Sequence, residues 1–175
     1  EAYAPTAEQI SQRGLKNACL ALLMYGSDTK AVASAEQMYR SADNMTDQLA
    51  ALRALVNSTQ ADAEPVAAWA LADFYRRWQH EALVVNQGVS VQAADPKAGA
   101  IERLGALRQH PSFSGSNPNK VRSVVSVFAS QNLAQFHDQQ GLGYTWLASA
   151  ILRLNKANPQ MASRLVTPLT RWRSF

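Results

Sequence analysis

The chain has 175 residues, 47% of them apolar and only 17% charged, with a formal net charge of +4; it can bury a sizeable core in one domain and lacks the polar, Pro-rich signature of disorder. Cys19 is the only cysteine, which excludes an internal disulfide and a thiolate zinc knuckle and suits a reducing compartment. No apolar run approaches the roughly 20 residues needed to cross a bilayer, and no basic segment followed by an apolar one opens the chain, so the expectation is a cytoplasmic protein without a membrane span.

Thr6 with Gln9 forms a capping-box pattern at the start of a helix whose apolar stripe is Leu15, Cys19, Leu22 and Leu23. After Gly26 the N-cap candidates are Ser27 or Asp28, then Asn44 or Thr46, then Asp62, each ahead of another amphipathic stretch. Leu71, Phe74, Tyr75 and Trp78 repeat at helical spacing, and together with Trp69 they read as packing aromatics rather than a base-stacking platform. Strand-like alternation occurs only near Val89 to Gln92, while Gly26, Gly88 and Gly115 fit helix ends or loops. Asp95-Pro96, Asn117-Pro118 and Asn158-Pro159 each put a capping side chain before a proline suited to the first helical position, so each should open a helix. Two further apolar stripes are Val121, Val124, Val125, Phe128 and Tyr144, Leu147, Ala148, Ile151.

These marks predict eight or nine helices of roughly 11 to 18 residues joined by short loops, so successive helices pack antiparallel. That number exceeds a single four-helix layer. The expected fold is all-α, an α-solenoid of antiparallel helix pairs in a HEAT- or armadillo-like superhelix, with a degenerate repeat spanning residues 1–175 as one helical-repeat segment.

Catalytic patterns fail one by one. His80-Glu81 begins like H-E-x-x-H, but Val84 stands where the second imidazole is needed, so two ligands cannot converge on zinc. His110 precedes Pro111 in a break between helices, and His137 lies beside Asp138 in a loop before Gly141 and Gly143, with no G-x-S-x-G elbow to supply a nucleophile. Phosphate-binding loops of the Walker or G-x-G-x-x-G kind are absent. From Pro118 onward seven basic side chains face the single acid Asp138. A solvated face explains that skew, and the alternative is a free-standing HEAT-like adaptor whose basic concave face binds an acidic protein or RNA.

One set of motifs says more. Asn117 to Arg122 (NPNKVR), Phe128 to Asn132 (FASQN), Phe136-His137, Gly143-Tyr144 and Asn158 to Trp172 (NPQMASRLVTPLTRW), with Arg13 to Leu20 and Asn44 to Asp47 earlier, resemble the C-terminal helical domain of bacterial aminopeptidase N, a family of gluzincin-type zinc metallo-aminopeptidases. The resemblance covers nearly the whole chain and implies a superhelical segment that caps an upstream catalytic domain of the same polypeptide and restricts its chamber to short peptides. It also implies that the zinc and its H-E-x-x-H ligands belong to that upstream domain, so that this segment has no catalytic residue, cofactor, nucleic-acid partner or activity of its own. The family extends on both sides of such a segment, so the chain reads as an internal piece of a larger C-terminal domain with exposed apolar ends. The family's chamber-facing positions fall on Arg122, Gln160 and Arg164. Gln160 and Arg164 are one helical turn apart, and a guanidinium there suits the carboxylate of a peptide substrate.

Overall fold

The computed structural model describes residues 3 to 175 except Ser27, and for Thr29 the backbone alone; the Ser27 cap therefore lies outside the described residues. Every regular element among them is helical. The chain forms two compact units, one up to Arg77 and one from Trp78.

The first unit contains α1 (Ala7–Leu23), α2 (Thr29–Ser41), α3 (Met45–Asn57) and α4 (Ala63–Trp78), whose last residue falls across the boundary. Local capping starts the first three. The Thr6 hydroxyl accepts from the Gln9 amide, Asp28 accepts from Lys30 N–H, and Asn44 rather than Thr46 accepts from Asp47 N–H. Tyr39, Leu52, Leu55 and Phe74 are essentially sealed from solvent, each contributing about 1.5–3 kcal/mol through burial. The stripe expected to anchor α1 turns outward: Leu20 is the buried residue of that helix, whereas Leu15, Cys19, Leu22 and Leu23 are exposed. The period was helical, but periodicity cannot say which face meets the core.

Two buried aspartates tie this unit together. The Tyr39 hydroxyl donates to Ala70 C=O (3.0 Å) and to Asp73 Oδ2 (3.2 Å), while Arg76 and Arg77 reach the same carboxylate at 2.6 and 2.7 Å. Burial alone pushes the Asp73 carboxyl up, but the arginines and Tyr39 together outweigh it and hold the group below its ordinary value. Asp47, at the start of α3, is bonded by Lys16 and Asn17 from α1 and by Asn44. Its burial is likewise outweighed by these donors, and it too is held low.

The second unit continues with α5 (Ala82–Ala93) and α6 (Ala100–Gln109). Val89 to Gln92 is helical, not a strand, and Gly88 lies buried inside α5 rather than at its end. Val85, Gly88 and Val91 share the buried face at three-residue intervals, a helical period that the local alternation obscures. Asp95-Pro96 does not open a helix either. The Asp95 carboxylate is buried and turned to Lys97 N–H (3.1 Å) and Arg103 Nε (3.5 Å). Arg103 also donates to the carbonyls of Asp95 and Lys97. The chain spends four residues on this loop before Gly99, at φ 79°, turns it into α6.

Asn117-Pro118 and Asn158-Pro159 do open helices. Asn117 accepts from the amides of Asn119 and Lys120, and Asn158 from that of Met161. The rod after Asn117 is continuous but not uniform: α7 (Pro118–Val121) runs into a π-helical segment, Arg122–Ser126, and then α8 (Val127–Gln131). Val127 N–H donates to Arg122 C=O, five residues back, and the wider turn lets Ser123, Val124 and Val125 all be buried in succession. Short α9 (Leu133–Phe136) leads to α10 (Leu142–Asn155), α11 (Pro159–Arg164) and a 3-10 segment, Thr167–Ser174. The core joins Leu104, Val124, Phe128, Phe136, Leu147 and Leu165 from six of these elements and their margins. Buried Asn132 stitches the break between α8 and α9 to the end of α5 by donating to the carbonyls of Ala93 (3.2 Å) and Asp95 (2.7 Å).

Candidate functional site

Arg122, Gln160 and Arg164 line a single cleft of about 190 Å³ in the second unit. Two local features build it. The Asn158 cap and Pro159 start α11 so that Gln160 and Arg164 project from successive turns. Opposite them, Arg122 sits at the first residue of the π-helical segment and Ser126 at its last, and both contribute to the cleft.

The polar heads in this cleft are largely uncommitted. Arg122 has one long contact, from Nη1 to Asn119 Oδ1 at 3.5 Å, and among the described residues neither Arg122 nor Arg164 is within ion-pair distance of a carboxylate. Gln160 borders the cleft, and among the described residues its side-chain amide has no hydrogen-bond partner. Met161 and Leu165 give the floor an apolar part. Two guanidiniums and an amide over an apolar floor, with no acid in the lining, suit an anionic oxygen group carried on an organic body.

The three histidines contribute nothing to this cleft. His80 is exposed in the turn after α4, so the H-E pair straddles a helix break. His110 caps the end of α6 and bonds Ser112. His137 pairs with the Tyr144 hydroxyl (2.6 Å) and stacks on Phe175 at 3.7 Å between ring centres, and burial lowers its pKa from the ordinary value. Among the described residues no group of three or more His, Cys, Asp or Glu side chains comes together, so the residues present do not fit a zinc site.

The family resemblance pointed to Arg122, Gln160 and Arg164, and spacing added only that Gln160 and Arg164 share one helix face. Sequence reasoning missed Ser126, because its place in the lining depends on a π turn that no residue type announces. Several motif residues turn out to be fold-making. Gly143 packs against the backbone of Phe136: a Cβ there would lie 2.7 Å from Phe136 Cα and closer still to its carbonyl oxygen. Phe136 in turn meets Phe128 and Tyr144 edge to face at 5.7 and 5.2 Å.

Comparison with known proteins agrees with this architecture. A family model described as a domain of unknown function (DUF3458_C) with ARM repeats matches residues 1–175. Aminopeptidase N of Haemophilus influenzae is 38% identical over 173 residues, covering 99% of this chain and 19% of that protein. The aminopeptidase N of Escherichia coli matches at the same identity, length and shares. The crystal structure of Legionella pneumophila aminopeptidase A in complex with aspartic acid superposes with a TM-score of 0.85 at 31% identity, over 98% of this chain and 20% of that one. The chain thus spans about a fifth of the length of the curated relatives it matches.

Proposed function

The chain belongs to the DUF3458_C family of ARM-repeat domains, and from that premise we propose that it is a non-catalytic wall of the substrate chamber in a zinc-dependent aminopeptidase. Its partner is the catalytic domain of the same polypeptide, which holds the zinc, and its ligands are peptide substrates. The observation that carries this reading is the convergence of Arg122, Gln160 and Arg164 on one cleft whose lining contains no acid. A peptidase that removes residues from the amino end needs no help from this segment at the scissile bond. What the segment adds is a hold on the far end of a short peptide, where a free carboxylate meets a guanidinium in paired hydrogen bonds.

The test uses the full-length enzyme that contains this segment. Arg122→Ala and Arg164→Ala should each lower kcat/KM for a short peptide with a free carboxyl terminus by about tenfold, the loss of one charge-assisted hydrogen bond, and mainly through KM. The same peptide with an amidated terminus should be cleaved equally by the variants and the parent. Equal losses on both substrates, or no loss on either, would refute the reading. The isolated 175-residue chain should release no amino acid from peptides or chromogenic amides, with or without zinc.

A further inference from the structure

A second cationic cleft lies elsewhere in the same unit and is used by nothing described so far. It has a volume of about 250 Å³ and is bordered by Arg108 from the last turn of α6 and Arg153 from the last turn of α10, with Phe113, Val121, Val125 and Leu154 forming apolar walls. Among the described residues neither arginine has an ion-pair or hydrogen-bond partner for its side chain. We propose that this cleft is a binding site for a small carboxylate with an apolar body, its carboxylate bridging Arg108 and Arg153 and its body against Phe113 and Leu154.

The helix ends supply a competing account, since a cation in the last turn is favoured by the helix dipole. That explains one arginine on each helix separately. It does not explain why two of them border one apolar-walled cleft, where each charge raises the cost of the other. Burial, and behind it the charge of Arg153, pushes the Arg108 guanidinium below its ordinary value, the mark of a cation short of counter-charge. An anion would relieve both the repulsion and the desolvation, and the guanidinium fork favours a planar carboxylate over a spherical ion. The volume falls just under the range for drug-sized ligands, which points to a small acid.

Phenylacetate is a suitable probe, with phenylacetamide as its neutral counterpart and inorganic phosphate as an anion without an apolar body. Titration calorimetry and ligand-observed NMR on the 175-residue chain should show phenylacetate binding at least tenfold more tightly than either. Arg153→Gln, at an exposed position that should not disturb folding, is expected to weaken phenylacetate about tenfold. Arg171→Gln, in neither cleft, should leave it unchanged. The proposed substrate cleft is read by turnover of free and amidated peptides and this site by Arg153→Gln on phenylacetate, so either reading can fail alone. Equal binding of phenylacetamide, equal binding of phosphate, or an affinity unmoved by Arg153→Gln overturns the proposal.

Discussion

Gly143→Ala adds one methyl group in the first turn of α10, at a place where backbone, not side chain, is in the way. The new Cβ would stand 2.7 Å from Phe136 Cα and 2.9 Å from the Gln135 carbonyl oxygen, with the Phe136 oxygen nearer still. Carbon atoms in contact prefer about 3.5–4.0 Å, so α9 and α10 must separate by roughly an ångström. Phe136 is fully buried among Phe128 and Tyr144, so the displacement opens that aromatic cluster as well. The cost belongs at the upper end of overpacking, about 3 kcal/mol. With a urea slope of about 2 kcal/mol/M, the midpoint should fall by about 1.5 M, followed by far-UV circular dichroism. Gly14→Ala is the control. Gly14 lies in α1 with nothing within 4 Å of an added Cβ, and should gain about 1 kcal/mol from helix propensity. A Gly143→Ala midpoint equal to or above the parent's would refute the close-approach argument.

Tyr39→Phe should cost about 1–1.5 kcal/mol in the same assay, because Ala70 C=O and Asp73 lose a buried donor. Asn132→Ala should cost about 2–3 kcal/mol by stranding the Ala93 and Asp95 carbonyls and uncapping α9. The acid limb of stability follows from Asp47 and Asp73: their folded pKa values lie below the unfolded ones, so the unfolded chain takes up protons first. Their contribution is therefore complete above about pH 4 and is lost as pH falls further. An unfolding series between pH 5 and pH 2 should show a steep decline in the parent and a shallower one in Asp73→Asn; equal slopes would remove Asp73 from the account.

How far the sequence could be read depended on how far each signal reaches. Asn117 and Asn158 opened helices as expected because an Asx cap acts on amides two or three residues away. Asp95 carries the same signature and makes the same local bond, to Lys97 N–H, yet no helix follows, and Arg103 eight residues on holds the carbonyls of Asp95 and Lys97, an interaction that no dipeptide encodes. The stripe on α1 had the right period and the wrong partner, as only tertiary packing decides that Leu20 faces inward. In the candidate site, Arg122, Gln160 and Arg164 were named through the family resemblance, and the four-residue spacing of Gln160 and Arg164 made only their shared face legible. The arrival of Arg122 beside them, and the meeting of Arg108 with Arg153, depend on how helices far apart in sequence are laid together.

The π-helical segment has a consequence for how lineages of this domain can diverge. Such a segment holds one residue more than an α-helical ladder requires, so deleting one position between Arg122 and Ser126 should regularise the rod rather than break it. The residues before the deletion would then rotate by about 100° relative to those after it. Val121 and Val124 on one side and Phe128, Ala129 and Asn132 on the other are all buried, so the turning would unpack one side or the other from the core. The bulge is therefore what lets buried residues before and after it face one core while Arg122 and Ser126 border the cleft. Relatives with one residue fewer here should bury a different set of side chains on one side of the segment.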